Sequence, residues 1–216
     1  MNNHKIQTVD NTRFFGLRID EHCHWKNNIE KLCSKLSSFV YLLRKLVRIS
    51  GRETAIAAYY GHVYSIIRFG IIFWGNSTDK NDVFKMQKRC IRALVEIKPW
   101  ESCRPYFHKL QLLPVPCIYI LECLIFVKKH YKLFHEKTLE DYTIRLRRKY
   151  DLIFPTPKCA LYRKSVFYMC ILLFNKLPDN IKKMNFIEFK KIVTKILKQK
   201  CYYDVADYLN DTLDLF

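Results

Sequence analysis

The sequence predicts a mainly α-helical fold, a helical bundle with a small β-strand or hairpin element at its N-terminal edge. Three observations predict it. Apolar residues recur at three- and four-residue steps over much of the chain, helix-start signatures precede several of the periodic segments, and one short run has strand character. That run, Arg13 to Ile19, is aromatic and β-branched and is bounded by polar residues. It reads as one strand, or as half of a hairpin whose partner lies upstream of this chain.

From Asn27 the period changes. Ile29, Leu32, Leu36, Phe39, Val40, Leu43 and Leu46 line one face of an amphipathic helix. Ser50-Gly51-Arg52-Glu53 matches a capping box, in which the serine hydroxyl accepts from the glutamate amide and the carboxylate reaches back, so a second helix is expected to start there. Its later part, Val63 to Trp74, is apolar on every side, which predicts a central place in the bundle. Gly75 to Asp79 reads as a turn. A third helix then runs from about Asn81 to Ile97 and stops before Pro99. Pro114 and Pro116 open a fourth, reaching about Lys132, because proline suits a first helical turn.

Phe134 to Cys159 breaks the pattern with a charged run and Pro155-Thr156-Pro157, and reads as a linker. A fifth helix is expected over Leu161 to Lys176. A sixth follows from the cap-like Asn185-Phe186-Ile187-Glu188 to about Gln199. The expected organisation is a strand or hairpin over 1–22, a helical bundle over 23–136, a basic proline-containing linker over 137–160 and a C-terminal helical segment over 161–216.

Composition narrows the partners. Half of the 216 residues are apolar and 15% are aromatic, which describes a globular chain and excludes a disordered tail. Lys+Arg of 38 against Asp+Glu of 20 leaves a formal charge of +18, and such an excess favours nucleic acid or an anionic membrane as partner. No stretch approaches the roughly 18 uninterrupted apolar residues of a spanning helix; Arg68 breaks one candidate and Glu122 the other. No membrane partner is therefore expected. The polar start, Met1 to Asp10, has no apolar leader core, and the nine cysteines follow no pattern. Together they predict buried thiols in a reducing, intracellular setting, cytoplasmic and/or nuclear.

The third helix carries the sharpest functional signal. Lys85, Lys88, Arg89 and Arg92 fall on one stripe at i, i+3, i+4 and i+7, with Met86, Cys90, Ile91 and Leu94 on the other side. Four cations on one face repel one another unless an anion lies against them, and a phosphate backbone supplies a row of anions. The competing reading is a solvated surface. Arg145, Arg147, Arg148 and Lys149, with Arg163 and Lys164, make a second cluster, read as an arm that orders on nucleic acid or as a solvated loop or nuclear-import sequence. Lys190, Lys191, Lys195 and Lys198 are helical in spacing, but Asp204, Asp207, Asp211 and Asp214 follow and are expected to neutralise them. Trp25, Trp74 and Trp100 read as core rather than as base-stacking platforms.

Readings as a metal or catalytic site fail on spacing. His22-Cys23-His24 and Cys33 cannot easily wrap one tetrahedral zinc, and no paired ligand motif stands elsewhere. Cys103 and His108 have no third group to orient them, and five glycines build no phosphate-cradling loop. We expect no catalytic residue, no bound metal or cofactor and no small-molecule substrate.

Five blocks carry a resemblance. Phe15-Gly16-Leu17-Arg18-Ile19-Asp20 is followed by Trp25, then Phe69-Gly70-Ile71-Ile72-Phe73-Trp74-Gly75-Asn76-Ser77, then Gln87-Lys88-Arg89, then Phe174-Asn175-Lys176-Leu177-Pro178. In this order and spacing they resemble the region just after the polymerase core in reverse transcriptases of jockey-like non-LTR retrotransposons. The resemblance spans about Thr12 to about Leu209. Cys23-His24 and Arg68-Phe69 depart locally from the family's pattern.

The resemblance implies that 1–22 is the end of the palm and 23–136 a thumb-like bundle. It implies that Phe15 and Gly16 belong to a hairpin supporting the primer end; the plainer reading of Gly16 is a strand glycine at a bulge. The family's two metal-holding aspartates sit in an aromatic-x-Asp-Asp turn, and this chain has no Asp-Asp pair. Mg²⁺ would therefore belong to the missing catalytic part. The expected role is that of a C-terminal fragment of an RNA-directed DNA polymerase, inactive alone, which holds RNA or RNA–DNA duplex and packs against the missing upstream palm and fingers. Two alternatives stay open: a free-standing basic nucleic-acid-binding module, and a helical protein-interaction domain whose apolar surface needs its partner.

Overall fold

A computed structural model describes residues 9–134, 150–155 and 160–212. The fold is mainly α-helical with a small N-terminal hairpin, as the periodicity predicts. Two compact units are present, Met1–Gly70 with Ser77–Glu96, and Ile71–Asn76 with Ile97–Phe216. The division expected near residue 136 falls within the span of the second unit, and most of the expected 137–160 linker lies outside the described residues.

In the first unit, β1 (Asn11–Phe14) and β2 (Leu17–Asp20) pair antiparallel in the register Phe14↔Leu17 and Arg13↔Arg18. The hairpin is thus complete within the chain, and the single strand expected over Arg13 to Ile19 is corrected to two strands. The signal overlooked was Phe15-Gly16. Both residues have positive φ, 45° and 88°, as the central pair of a type I′ turn requires. The Asp20 carboxylate then accepts from the backbone N–H groups of His22, His24 and Trp25 at 3.2, 2.8 and 3.0 Å. These bonds reverse the chain into α1 (Lys26–Ala58).

Ile29, Leu32, Leu36 and Leu43 of α1 are buried, on the predicted face. Gly51, at φ 80° and ψ 170°, is non-helical and breaks α1 into two helical stretches, so a second one does begin where it was expected. The expected capping box does not form. Ser50 is still helical, whereas a cap residue must be extended, and its carbonyl accepts instead from the Thr54 hydroxyl at 3.0 Å. A π-helical turn (Tyr59–Tyr64) and α2 (Ser65–Arg68) continue the path to Phe69, which is extended, and Gly70, at φ 63°. That break corrects the expectation of one central helix over Val63 to Trp74: Val63 and Ile67 are core of the first unit, Ile71 and Trp74 of the second. The next helix of the chain, α3 (Ile71–Trp74), thus belongs to the second unit. The first is closed by α4 (Lys80–Val95), which packs along α1 and ends at the left-handed Glu96.

In the second unit, α3 and α5 (Arg104–Lys109) precede α6 (Val115–Lys129), entered through Pro114. Val115 to Leu121, Cys123, Leu124 and Val127 are buried, so α6 is the centre of this unit. A side chain at Gly75 would run into the Tyr119 ring and the Ile71 carbonyl, which accounts for glycine at the end of the apolar block. A 3₁₀ turn (Ala160–Lys164) leads to α7 (Val166–Asn175), which starts later than expected because Ser165 caps it by accepting from Tyr168 N–H at 3.3 Å. After α8 (Asp179–Lys183), α9 (Phe186–Lys200) starts at the expected cap, Asn185 accepting from Glu188 N–H at 2.9 Å. Asp204 and Asp207 form a capping box that opens α10 (Val205–Asn210).

Candidate nucleic-acid interface

Helix α4 is pinned by its inner face. Val83, Phe84, Met86, Cys90, Ile91, Ala93 and Leu94 are buried, and the Gln87 amide, also buried, donates to the Tyr59 hydroxyl at 2.8 Å. Burial pushes the Cys90 thiol up to about 12, so this cysteine is a packing residue. With that face fixed, Lys85 and Arg89 project away from it, whereas the Arg92 Nε is buried. Lys85 and Arg89 are exposed, while Lys88 and Arg92 are half-buried at the edges of the stripe.

The four cations differ in their surroundings. The Lys85 ammonium bonds the Asp82 carboxylate at 2.8 Å, one turn back, which supplies it with a local counter-charge. Lys88 lies 4.7 Å from the centre of the Phe84 ring, and the Arg89 guanidinium reaches the Met86 sulfur at 3.6 Å. The aromatic and thioether contacts orient these side chains without neutralising them.

The other predicted residues divide. Arg145, Arg147, Arg148 and Lys149 lie outside the described residues. Arg163 and Lys164 are exposed on the 3₁₀ turn of the second unit. Phe15 and Gly16 form the hairpin apex: the Phe15 ring is 83% exposed, packs edge-on to Phe14, and Gly16 lies against the Phe69 ring. Gly16 is a turn glycine and not a bulge.

Two expectations about charge and core change. The acids after α9 divide: Asp204 and Asp207 cap α10, Asp211 pairs with Lys200, the last lysine of α9, at 3.0 Å and accepts from the Tyr202 hydroxyl, and Asp214 lies outside the described residues. Lys190, Lys191 and Lys195 are exposed on α9. Of the tryptophans, Trp74 is core and Trp25 half-buried, but Trp100 is 77% exposed beneath the Lys98 ammonium. A cavity of about 460 Å³ opens beside Arg104, His108, Gln199 and Lys200, but Arg104 lies over the Tyr203 ring and Lys200 is paired with Asp211. Its cations already have partners.

Asn175, in the last of the five blocks, has a structural role. It accepts from Leu152 N–H at 2.8 Å and donates to Leu152 C=O at 2.7 Å, clamping 150–155 onto α7. The fully buried Lys182 ammonium binds the Asp151 carboxylate at 2.5 Å and the Asn175 carbonyl at 3.2 Å. Six of the eight described cysteines are buried, none in a disulfide. Among the described residues no helix is long and apolar enough to cross a membrane. Compared with protein-family models, curated proteins and solved structures, the chain finds no match.

Proposed function

We propose that this chain is the post-palm part of an RNA-directed DNA polymerase of the non-LTR retrotransposon kind, and that it holds RNA or RNA–DNA duplex while doing no bond-making itself. The observation that carries the reading is α4. A helix whose inner face is core presents Lys85, Lys88, Arg89 and Arg92 along its outer side, in a chain of +18. The five ordered sequence blocks support the family; the cationic stripe supports the partner.

The test is the quadruple change of Lys85, Lys88, Arg89 and Arg92 to Gln. Binding of a labelled RNA–DNA hybrid weakens across all sequences, and the slope of log K against log salt becomes shallower by about 0.9 for each phosphate no longer neutralised. Asp82 already holds Lys85, so that residue contributes less to the change than a cation with no counter-charge. Helix content stays near that of the unmodified protein, since glutamine is a good helix former. Unchanged binding with an unchanged fold reduces the stripe to solvated surface and removes the proposal's main support.

A second reading is favoured by a different observation. Phe14, Phe15 and Phe69 are exposed together around the hairpin apex, an apolar patch of the kind a partner domain covers. On that reading the chain is a protein-interaction domain, and the quadruple variant leaves its behaviour unaltered.

A further inference from the structure

Four cations of the first unit converge away from the α4 stripe. Arg13 on β1 and Arg18 on β2 are directly opposed across the hairpin, so both side chains leave one face, opposite to that of Phe14 and Leu17. Both are exposed. The Arg18 N–H donates to Asn28 Oδ1 at 3.2 Å, which seats the hairpin beside the first turn of α1. Lys31 and Lys35 follow Asn28 at helical spacing on the same side.

The convergence is electrostatic as well as geometric. The Arg18 guanidinium foremost, with loss of solvent and then Arg13 and Lys35, holds the Lys31 ammonium below the usual lysine range. Among the described residues, no carboxylate pairs with any of the four. Like charges opposed across strands, and four apart on a helix, destabilise the fold that holds them. An anion lying across all four removes that repulsion. Cations spread over two strands and two helical turns match a row of phosphates better than one small ion.

We propose that Arg13, Arg18, Lys31 and Lys35 form a second phosphate-backbone site of the first unit, on the flank of α1 away from α4. The flank follows from helix geometry. Cys33, whose thiol is raised by burial and then by Asp82 of α4, lies to one side of the buried Ile29–Leu32–Leu36 stripe, while Lys31 and Lys35 lie to the other. The site rests on the nucleic-acid reading of α4 but uses none of its residues. It was hidden in the sequence because the two arginines oppose each other only once the hairpin closes.

The experiment compares three full-length proteins: the unmodified chain, the α4 quadruple variant, and a cluster variant carrying Arg13→Gln, Arg18→Gln, Lys31→Gln and Lys35→Gln. Each is titrated with a fluorescein-labelled RNA–DNA hybrid across a salt series, and melted without ligand. The cluster variant is expected to bind on the order of tenfold more weakly at moderate salt, with a shallower salt slope, and to melt no lower than the unmodified chain. An unmodified chain that binds, beside a folded cluster variant that binds equally well with the same slope, overturns this site and leaves the α4 reading standing. If the unmodified chain does not bind the hybrid, both fall. Should the four changes unfold the protein, Lys31→Gln with Lys35→Gln is measured in their place, and unaltered binding by that folded pair overturns the site.

Discussion

Phe15 holds a conformation that phenylalanine disfavours. At φ 45° its Cβ crowds the following carbonyl, a cost of about 1 kcal/mol that asparagine or glycine largely escapes. Its ring is exposed and touches chiefly Phe14, so few contacts of its own hold it there. Phe15→Asn creates the Asn-Gly pair preferred in type I′ turns and is expected to stabilise the protein by about 1 kcal/mol in urea unfolding. A loss of stability shows instead that the ring is held by packing. In the sequence Gly16 fits a hairpin glycine near a primer end and a bulge equally well, because phenylalanine before it does not mark a left-handed turn.

At the scale of elements, the segment 150–155 and helices α7 and α8 are joined by buried polar groups rather than by apolar area alone. Lys182 has no exposed side-chain surface, Asp151 little, and Asn175 closes a two-bond clamp on Leu152. Removing one partner of such a pair leaves a charge in a dry place, typically costing about 3 kcal/mol or more. Asp151→Asn is therefore expected to lower stability by roughly 3 kcal/mol, since it leaves the buried ammonium only the more distant Asp179 carboxylate, at 3.7 Å. The double variant, Asp151→Asn with Lys182→Met, recovers part of that loss, because the buried ammonium is gone. A double variant no more stable than the single one, in matched denaturant titrations, shows that the ion pair is not the source of the effect. Neither the lysine nor the clamp was legible beforehand: Asp151 and Lys182 are 31 positions apart, and no periodicity marks a pair that meets only in the fold.

For the whole molecule, the charge excess sets behaviour that no single helix does. Cationic groups stand on α4, on the hairpin with α1, on the 3₁₀ turn and on α9. Neutralising many phosphates makes affinity fall steeply as salt rises, with little dependence on sequence. Chemistry is a separate matter. The chain carries no Asp-Asp pair of the kind that holds catalytic cations, and we expect no primer extension above background with template, primer, Mg²⁺ and triphosphates. Template-dependent extension by the purified chain overturns the proposed division of labour.

Local sequence was enough to establish the helical class, the inner faces of α1 and α4, the helix starts at Asn185 and Pro114 and the side of α4 on which the basic stripe lies. Each rests on a local cause, a 3.6-residue period or a side chain bonding the next turn. Long-range packing settled the rest. The apolar run Val63 to Trp74 shows why: its composition is uniform, so only the extended Phe69 and left-handed Gly70 reveal that its two halves belong to different cores. The hairpin register placed Arg13 opposite Arg18, and Asp204 and Asp207 became the capping box of α10. Those outcomes depend on which distant groups meet, and neither spacing nor composition records that.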